Sequence, residues 1–432
     1  MFNDNTTGFL FVSCQSRFNG TDTINGIFTY DGSELVPLAK ERYGCGNVSC
    51  GPALFLTRYA GDIYYSGPNL KRIDSTSLNG IGKWDGEKWA AGLPGLYRDE
   101  DDPPFIDGHC IHDGKLYASG AFRTAEGDTC NSVAFWDGQH WTGLNFPGDG
   151  FLEETPRVHH VFFYKNELYA AGNFYVKVDG EWVHDIVRYD GANWHAVGGG
   201  LKGGLATIWD WAIYKDELYI CGYFRNTDGN VGNKIMRWDG QQWKDVGGGI
   251  CNPGAVAHGL AVIDGKLLLG GIFDCVGNGL PVSNIAAWDG ERWCSFGNST
   301  FDNSIAEMAE YKGELYIGGG FREIDGQPCR YFARYIGDHS TDTCSTPISA
   351  APEPSKNGFS LSPNPASDIL DLQAPAPIDL MWIYDATGRE VLRRGVSGAR
   401  VSVSVGELLE GLYFVSVRAG GKVWSGKFVK QG

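Results

Sequence analysis

Long apolar runs are missing from this sequence. No stretch reaches the ~18 consecutive apolar residues that a membrane helix needs, so no transmembrane segment is expected. A signal peptide is missing too. The opening "MFNDNTTGFLFVSC" has no basic start and too short an apolar stretch, and a lipoprotein reading of "FVSC" fails for the same reason. Helical periodicity is absent throughout. So are a Gly-x-Ser-x-Gly elbow, a P-loop, a dinucleotide fingerprint and a paired-cysteine zinc motif. No catalytic residue, cofactor or metal is therefore assigned.

Basic residues are also in short supply, with 36 Lys+Arg against 52 Asp+Glu and a net charge of −16. From Gly358 to the end the signs nearly balance, 8 against 7, which leaves 28 against 45 and a net −17 on the first 357 residues. So acidic a surface repels phosphate backbones and anionic headgroups, which argues against nucleic acid or bare lipid as partners.

Glycine and aromatics are abundant: Gly 62, Trp 14, Tyr 20 and Phe 23. Glycine supplies the positive φ of tight turns and aromatics suit half-buried pleated surfaces, so many short strands are expected. Their order is periodic. Tyr30-Asp-Gly, Trp84-Asp-Gly, Trp136-Asp-Gly, Tyr189-Asp-Gly, Trp238-Asp-Gly, Trp288-Asp-Gly and Tyr335-Ile-Gly follow at steps of 54, 52, 53, 49, 50 and 47 residues. Such a period marks a solenoid, a propeller or an array.

Each period holds four apolar pieces bounded by turn residues, for example "IWDWAIY", "ELYICGYF", "KIMRWDG" and "QWKDVGGG". Each piece reads as a strand. Asp-Gly between the last two reads as a hairpin in which both positions take positive φ. Four antiparallel strands per unit make a propeller blade, and radial closure hides edges that a linear array would expose. The fold class is therefore all-β, a β-propeller of seven blades with six as the alternative. The first copy begins at its second strand, so its blade should lack the innermost one. A start site placed downstream of the natural one would account for that strand and the signal peptide together. The last copy loses its fourth strand after Tyr335. The Gly-Gly, Tyr/Trp-Asp and downstream Trp pattern resembles the kelch type. The "GGxFxxxDG" phrase (Phe224 to Gly229, Phe321 to Gly326) is similar to bacterial kelch-like propellers, over roughly residues 8–337. That likeness speaks for fold, not activity.

Eleven cysteines suit an exported chain. Cys45/Cys50, Cys251/Cys275 and Cys329/Cys344 are candidate disulfides, and an odd total leaves at least one thiol unpaired within the monomer. The same residues can equally serve as small buried hydrophobes.

Polar residues on first strands would face the propeller axis. Asp107, His159, His160, Asp210, His258 and Glu307 fall near one point of successive copies and form a candidate ligand ring. Against this, the alignment mixes two adjacent positions, which face opposite ways on a strand. "DEDD" (Asp99 to Asp102) reads as a solvated loop because the EF-hand spacing is absent. "WDGEKW" resembles the sialidase Asp-box but lacks its order. Trp89, Trp141, Trp194, Trp243 and Trp293 recur at one place per copy, which fits packing between blades.

After Gly337 the chain changes character. Residues 340–357 read as a Pro/Ser/Thr-rich linker between a propeller at 1–339 and a small β-sandwich of roughly seven strands at 358–432. In "PNP", Pro363 and Pro365 fix an extended segment around Asn364 that cannot serve a central ladder. Asp385, Thr387 and Gly388 can make a hairpin turn, and Gly411 precedes Tyr413 where the last strand pair begins. The motifs "PNPASD", "IYDATGR", "EGLYFVSV" and "GKFVK" (with Lys427) resemble the C-terminal sorting domain of the type IX secretion system of Bacteroidetes-type bacteria. The resemblance implies export to the periplasm, recognition by the outer-membrane translocon and its sortase, and release or attachment at the cell surface. The expected function is a secreted or surface-displayed scaffold that binds an extracellular protein or glycan through its blade loops. The alternatives are an extracellular hydrolase or lyase with its site at the channel mouth, and a structural surface-layer component.

Overall fold

The computed structural model describes residues 1–18, 22–38, 55–67, 70, 72–73, 75–78, 80–97, 104–124, 132–147, 157–203, 207–297, 299–329, 331–335, 344, 359–385 and 390–431. The chain forms two compact units, Met1–Ile348 and Ser349–Gly432. Both are built from antiparallel strands, and the one helical element described is the short 3-10 turn Asn226–Asp228.

Among the described residues of the first unit, seven blade sheets follow one another, six of four strands and the last of three, with four two-stranded ribbons besides. Their innermost strands are Phe2–Asp4, Phe55–Tyr59, Phe105–His112, Arg157–Tyr164, Thr207–Tyr214, Val256–Ile263 and Ile305–Tyr311. Each of these packs on the next, and the last packs on the first. The sheets therefore close into a ring, a β-propeller. Closure is sealed where Leu10, Val12 and Phe28 of blade 1 share a core with Tyr311 and Tyr316 of blade 7. The Tyr311 hydroxyl donates to Gly8 O at 2.5 Å and the Asn3 amide to Glu310 O at 2.8 Å.

The repeated residues fasten neighbouring blades. The fourth-strand indoles of Trp89, Trp194, Trp243 and Trp293 donate to Leu38, Leu144, Val197 and Val246 carbonyls of the preceding blade, at 2.8–3.0 Å. Lysines at first turns reach forward: Lys165, Lys215 and Lys312 donate to the carbonyls of Asp239, Asp289 and Asp31. Each sheet is too small to bury both faces alone, so these seams hold the propeller together. The second-strand glycine has a different duty. A Cβ on Gly222 would lie 2.1 Å from Thr207 O of the adjacent inner strand, and one on Gly319 2.0 Å from Ser304 O, so only glycine fits.

Several expectations are corrected. Blade 1 does have an innermost strand, Phe2–Asp4, paired with Phe9–Phe18. Three residues are too few to show an apolar pattern. In the Trp-Asp-Gly hairpins only the glycine has positive φ, as at Gly240 (105°) and Gly290 (107°). The aspartate acts through its side chain: Asp239 Oδ1 accepts the Gln241 and Gln242 amides at 2.7 and 2.8 Å. Paired positive φ occurs instead at the turns between first and second strands, such as Lys215 (50°) and Asp216 (61°). Cys251 and Cys275 are joined, but Cys344 pairs with Cys294 rather than Cys329. The chain leaving blade 7 returns to the outer edge of blade 6, where Cys344 also makes a β-bridge to Cys294. Cys45, Cys50 and the Asp99–Asp102 run lie outside the described residues.

The second unit has five described strands rather than seven, Ser360–Ser362, Ile369–Asp385, Glu390–Ser404, Gly411–Ala419 and Lys422–Lys430. The two longest run on through register shifts near Gln373 and Ile378 instead of breaking into separate strands. Its core gathers Leu370, Leu372, Met381, Ile383, Val415, Val417 and Phe428.

One blade position makes a comparison within the chain. Before the third strand, blade 6 has Asn284, whose Oδ1 accepts the Phe273 amide at 2.9 Å and whose Nδ2 donates to Phe301 and Asn303 carbonyls. Blade 5 has Lys234, with its ammonium over the Tyr223 ring. Blade 4 has the buried Asp185, which accepts the Phe174 amide on one oxygen while the other has no partner. Burial pushes its carboxyl up from 3.8 to about 8, opposed by the Phe174 hydrogen bond. Because the folded value lies above the unfolded one, this stabilising contribution is complete below pH 4 and disappears as pH rises through 8. Asp185→Asn should therefore leave the melting temperature little changed below pH 4 and raise it at pH 9, with a gain on the order of 2 kcal/mol. Thermal unfolding of both proteins across that range checks it.

Candidate functional site

In five of the seven innermost strands a β-bulge interrupts the register, after Ile106, Val158, Ile208, Ala257 and Ile305. A bulge sets two residues against one on the partner strand. The extra residues are Asp107, His159, Trp209, His258 and Ala306, and those following are Gly108, His160, Asp210, Gly259 and Glu307. The six ring candidates thus divide between two adjacent positions. The ambiguity seen in the sequence was this bulge.

Most of these side chains reach into the neighbouring blade. The fully buried Asp107 receives Arg157 of blade 4 in a fork, Nε to Oδ2 at 2.6 Å and Nη2 to Oδ1 at 3.0 Å. Asp210 accepts its own neighbour's amide, Trp211, at 2.8 Å and that of Leu260 in blade 6 at 2.7 Å. Burial, with Glu307 adding to it, pushes the Asp210 carboxyl up to about 8. Burial, with His159 adding to it, drives the His160 imidazole down to about 3 against an opposing effect of the Trp209 backbone. Burial also lowers His159 and His258. The His258 ring meets Trp209 edge to face at 6.0 Å, and its Nδ1 has no partner. Glu307 is half-exposed, 3.8 Å from the Met1 amino group. Where the following position holds glycine, the strands come closer: a Cβ on Gly108 or Gly259 would lie 2.6 Å from His159 O or Ala306 O. Blade 1 joins blade 2 in the same manner, since Arg58 forks onto Asp4 at 2.8 and 2.6 Å. Burial opposes ionisation of Asp4, but Arg58 and Thr7 outweigh it and hold the carboxyl near 2. Among the described residues no group of three or more metal-ligating side chains converges.

A second exposed feature lies on blade 4. Strands Glu167–Val178 and Glu181–Tyr189 run past the blade's other strands as a hairpin closed by Asp179 and Gly180, both at positive φ. Val176, Val178 and Val183 on one face are buried, whereas Tyr175 and Trp182 on the other are 39% and 42% exposed. Trp182 stacks on Tyr175 at 4.7 Å, and Tyr175 stacks on His184 at 4.1 Å. His195 lies between Asp179 Oδ1 (2.9 Å) and Asp190 Oδ2 (3.0 Å), tying the hairpin tip to the blade. Beside the hairpin a cavity of about 300 Å³ is bordered by Lys202, Asn230, Gln241, Gln242 and Trp243. Sequence reasoning missed this row. Its signals were a tryptophan outside the blade register and an extra Asp-Gly between alternating residues, "YVKVDGEWV".

In the second unit the motifs meet one another. Asn364, between two prolines that follow cis peptide bonds (Pro363 and Pro365), accepts the Val429 amide at 2.9 Å and donates to Lys427 O at 3.1 Å. Ala366 continues that contact with a parallel bridge to Lys430. The Tyr413 ring stacks on Phe428 and its hydroxyl donates to Leu409 O at 2.9 Å. Gly411 (φ 154°) opens its strand, and Asp385 pairs with Tyr413. Thr387 and Gly388 lie outside the described residues. The first and last motifs are thus two sides of one seam. Residues 360–431 match the family described as secretion system C-terminal sorting domain. This unit is a type IX sorting domain. The protein is accordingly secreted or displayed on the cell surface, and no helix among its described residues is long and apolar enough to cross a membrane.

No curated protein matches the chain. Among solved structures, it is similar to PorZ, an essential bacterial surface component of the type IX secretion system of Porphyromonas gingivalis. That likeness has 12% identity and a TM-score of 0.48, over 98% of this chain and 58% of that one. It is also similar to the extracellular domain of the hybrid two-component system BT4673 from B. thetaiotaomicron, with 13% identity and a TM-score of 0.44, over 92% and 48%. The chain spans about half the length of these proteins.

The axial contacts yield a prediction. Asp107→Ala removes both carboxylate bonds from Arg157, whose side chain is 40% exposed, and should destabilise the propeller by about 1–3 kcal/mol. The double variant with Arg157→Ala should lose less than the sum of the single changes, in urea unfolding monitored by tryptophan fluorescence.

Proposed function

We propose that the protein is a secreted or surface-displayed binding protein. Its kelch-like propeller, residues 1–339, captures an extracellular protein or glycan; a linker at 340–357 follows, and the sorting domain at 358–432 engages the outer-membrane translocon and its sortase. The observation that carries this reading is a division of labour in the side chains. Asp107 and Asp210 on the axis are engaged in bonds between or within blades, while large aromatics stand exposed, Trp209 at an axial bulge and Tyr175 and Trp182 on blade 4. Polar groups committed to holding strands together support a scaffold more than a reactive centre, and exposed aromatics are characteristic of binding surfaces.

Full-length protein, immobilised and challenged with a glycan array and with detergent-solubilised cell-surface proteins, should show saturable capture of one class. Turnover of a substrate without saturable capture would contradict the reading. Export has its own test. Asn364→Ala removes both hydrogen bonds to the last strand, should cost the sorting domain about 1–3 kcal/mol, and should reduce the protein recovered outside the cell while raising the amount held in the periplasm.

A further inference from the structure

We propose that the blade 4 hairpin and the cavity beside it form a binding site for an anionic polysaccharide. This deepens the reading as a binding protein and rests on it. The starting point is a face that folding does not need. Along the hairpin, alternate residues face opposite ways. Val176, Val178 and Val183 fill the core of the blade, so Tyr175, Lys177 and Trp182 stand outside it on the opposite face. Two large aromatics kept in water at such positions call for an occupant.

The row is held in place before any ligand arrives. His195 and the Ala196 amide both bind Asp179 at the tip, at 2.9 and 3.0 Å. At the base, Leu201 donates to His184 O at 3.1 Å, and the Lys202 amide donates to Asn230 Oδ1 at 2.9 Å. Fixed geometry lowers the ordering cost of binding. Through Lys202 the row continues into the cavity, because this lysine borders the cavity and also lies near enough to His184 to add its charge to the burial that disfavours imidazolium.

The chemistry of the surface selects the class of ligand. Flat aromatic rings accept the C–H faces of pyranose rings, and the carboxamides of Gln241 and Gln242 can exchange hydrogen bonds with hydroxyls. A volume of about 300 Å³ sits at the small end of ligand sites and suits a single sugar unit, with the open row beside it taking further units of a chain. Charge sets the rest. The propeller portion carries a net −17, yet the hairpin face presents Lys177, and Lys202 follows at the cavity. Asp179, at the tip, is engaged by His195, and Glu181 falls on the valine side of the ribbon. Lys177 on the row and Lys202 at the cavity, where its ammonium donates to Gly199 O at 2.8 Å and Asp228 lies beside the following Gly203, are the cations that complement an acidic chain.

The test uses full-length protein in affinity electrophoresis through gels containing polygalacturonate, dextran sulfate or neutral dextran. Retardation by at least one of the two polyanions, beyond that by dextran, is expected, and comparison of the two distinguishes carboxylate from sulfate as the preferred group. Trp182→Ala and Tyr175→Ala should each weaken it at least tenfold, and Lys177→Ser with Lys202→Ser should remove most of its salt dependence. Unchanged circular dichroism and melting temperature would show that the variants fold. No retardation of the natural protein by either polyanion overturns the proposal, as does natural-strength retardation of Trp182→Ala. If saturable capture of another ligand persists in either case, the binding reading stands and only this site falls.

Discussion

A four-stranded sheet of this size has two apolar faces and no means of covering either. Every other feature of the propeller follows from that constraint. The sheets must be stacked face to face, and the only arrangement that leaves none uncovered is a closed ring. The seams between blades are therefore where the recurring residues act. An indole reaches back to the preceding blade, a lysine reaches forward to the next hairpin, and a glycine lets the inner strand come close. Closure between blades 7 and 1 uses the same types of contact, with Tyr311 and Lys312 bound to Gly8 and Asp31 carbonyls.

This constraint also accounts for the axis. Inner strands converge there, and their polar side chains become fasteners: Arg58 with Asp4, Arg157 with Asp107, Asp210 with the Leu260 amide. Groups so engaged are poorly free to take a ligand. At the periphery blade 4 extends beyond the shared pattern and shows aromatic rings to water, as Trp209 does at its bulge on the axis.

How much of this could be read from residues alone depended on whether a feature repeats. Six Tyr/Trp-Asp-Gly copies and a closing Tyr335-Ile-Gly announced the blades, and among the described residues the last sheet has three strands. Features without a repeat were obscured. Phe2–Asp4 is too short to carry a pattern, and its place is set by contact with blade 7. The bulges shift the alignment by one residue, which is why Asp107 and Asp210 appeared equivalent when they are not. The partner of Cys344 depended on a chain reversal that no local signal encodes. The sorting domain was legible because "PNP" and "GKFVK" keep their order, although only the fold shows Asn364 joining them.

Ring closure is the central claim and can be measured as one distance. Spin labels at Ser33 and Glu310, both exposed, flank the contact between Lys312 and the Asp31 carbonyl. With the ring closed, pulsed dipolar spectroscopy should return a narrow distribution centred within roughly 20 Å. An open row of seven sheets at about 10 Å spacing would place the labels roughly 60 Å apart, and a distribution centred there would contradict the account.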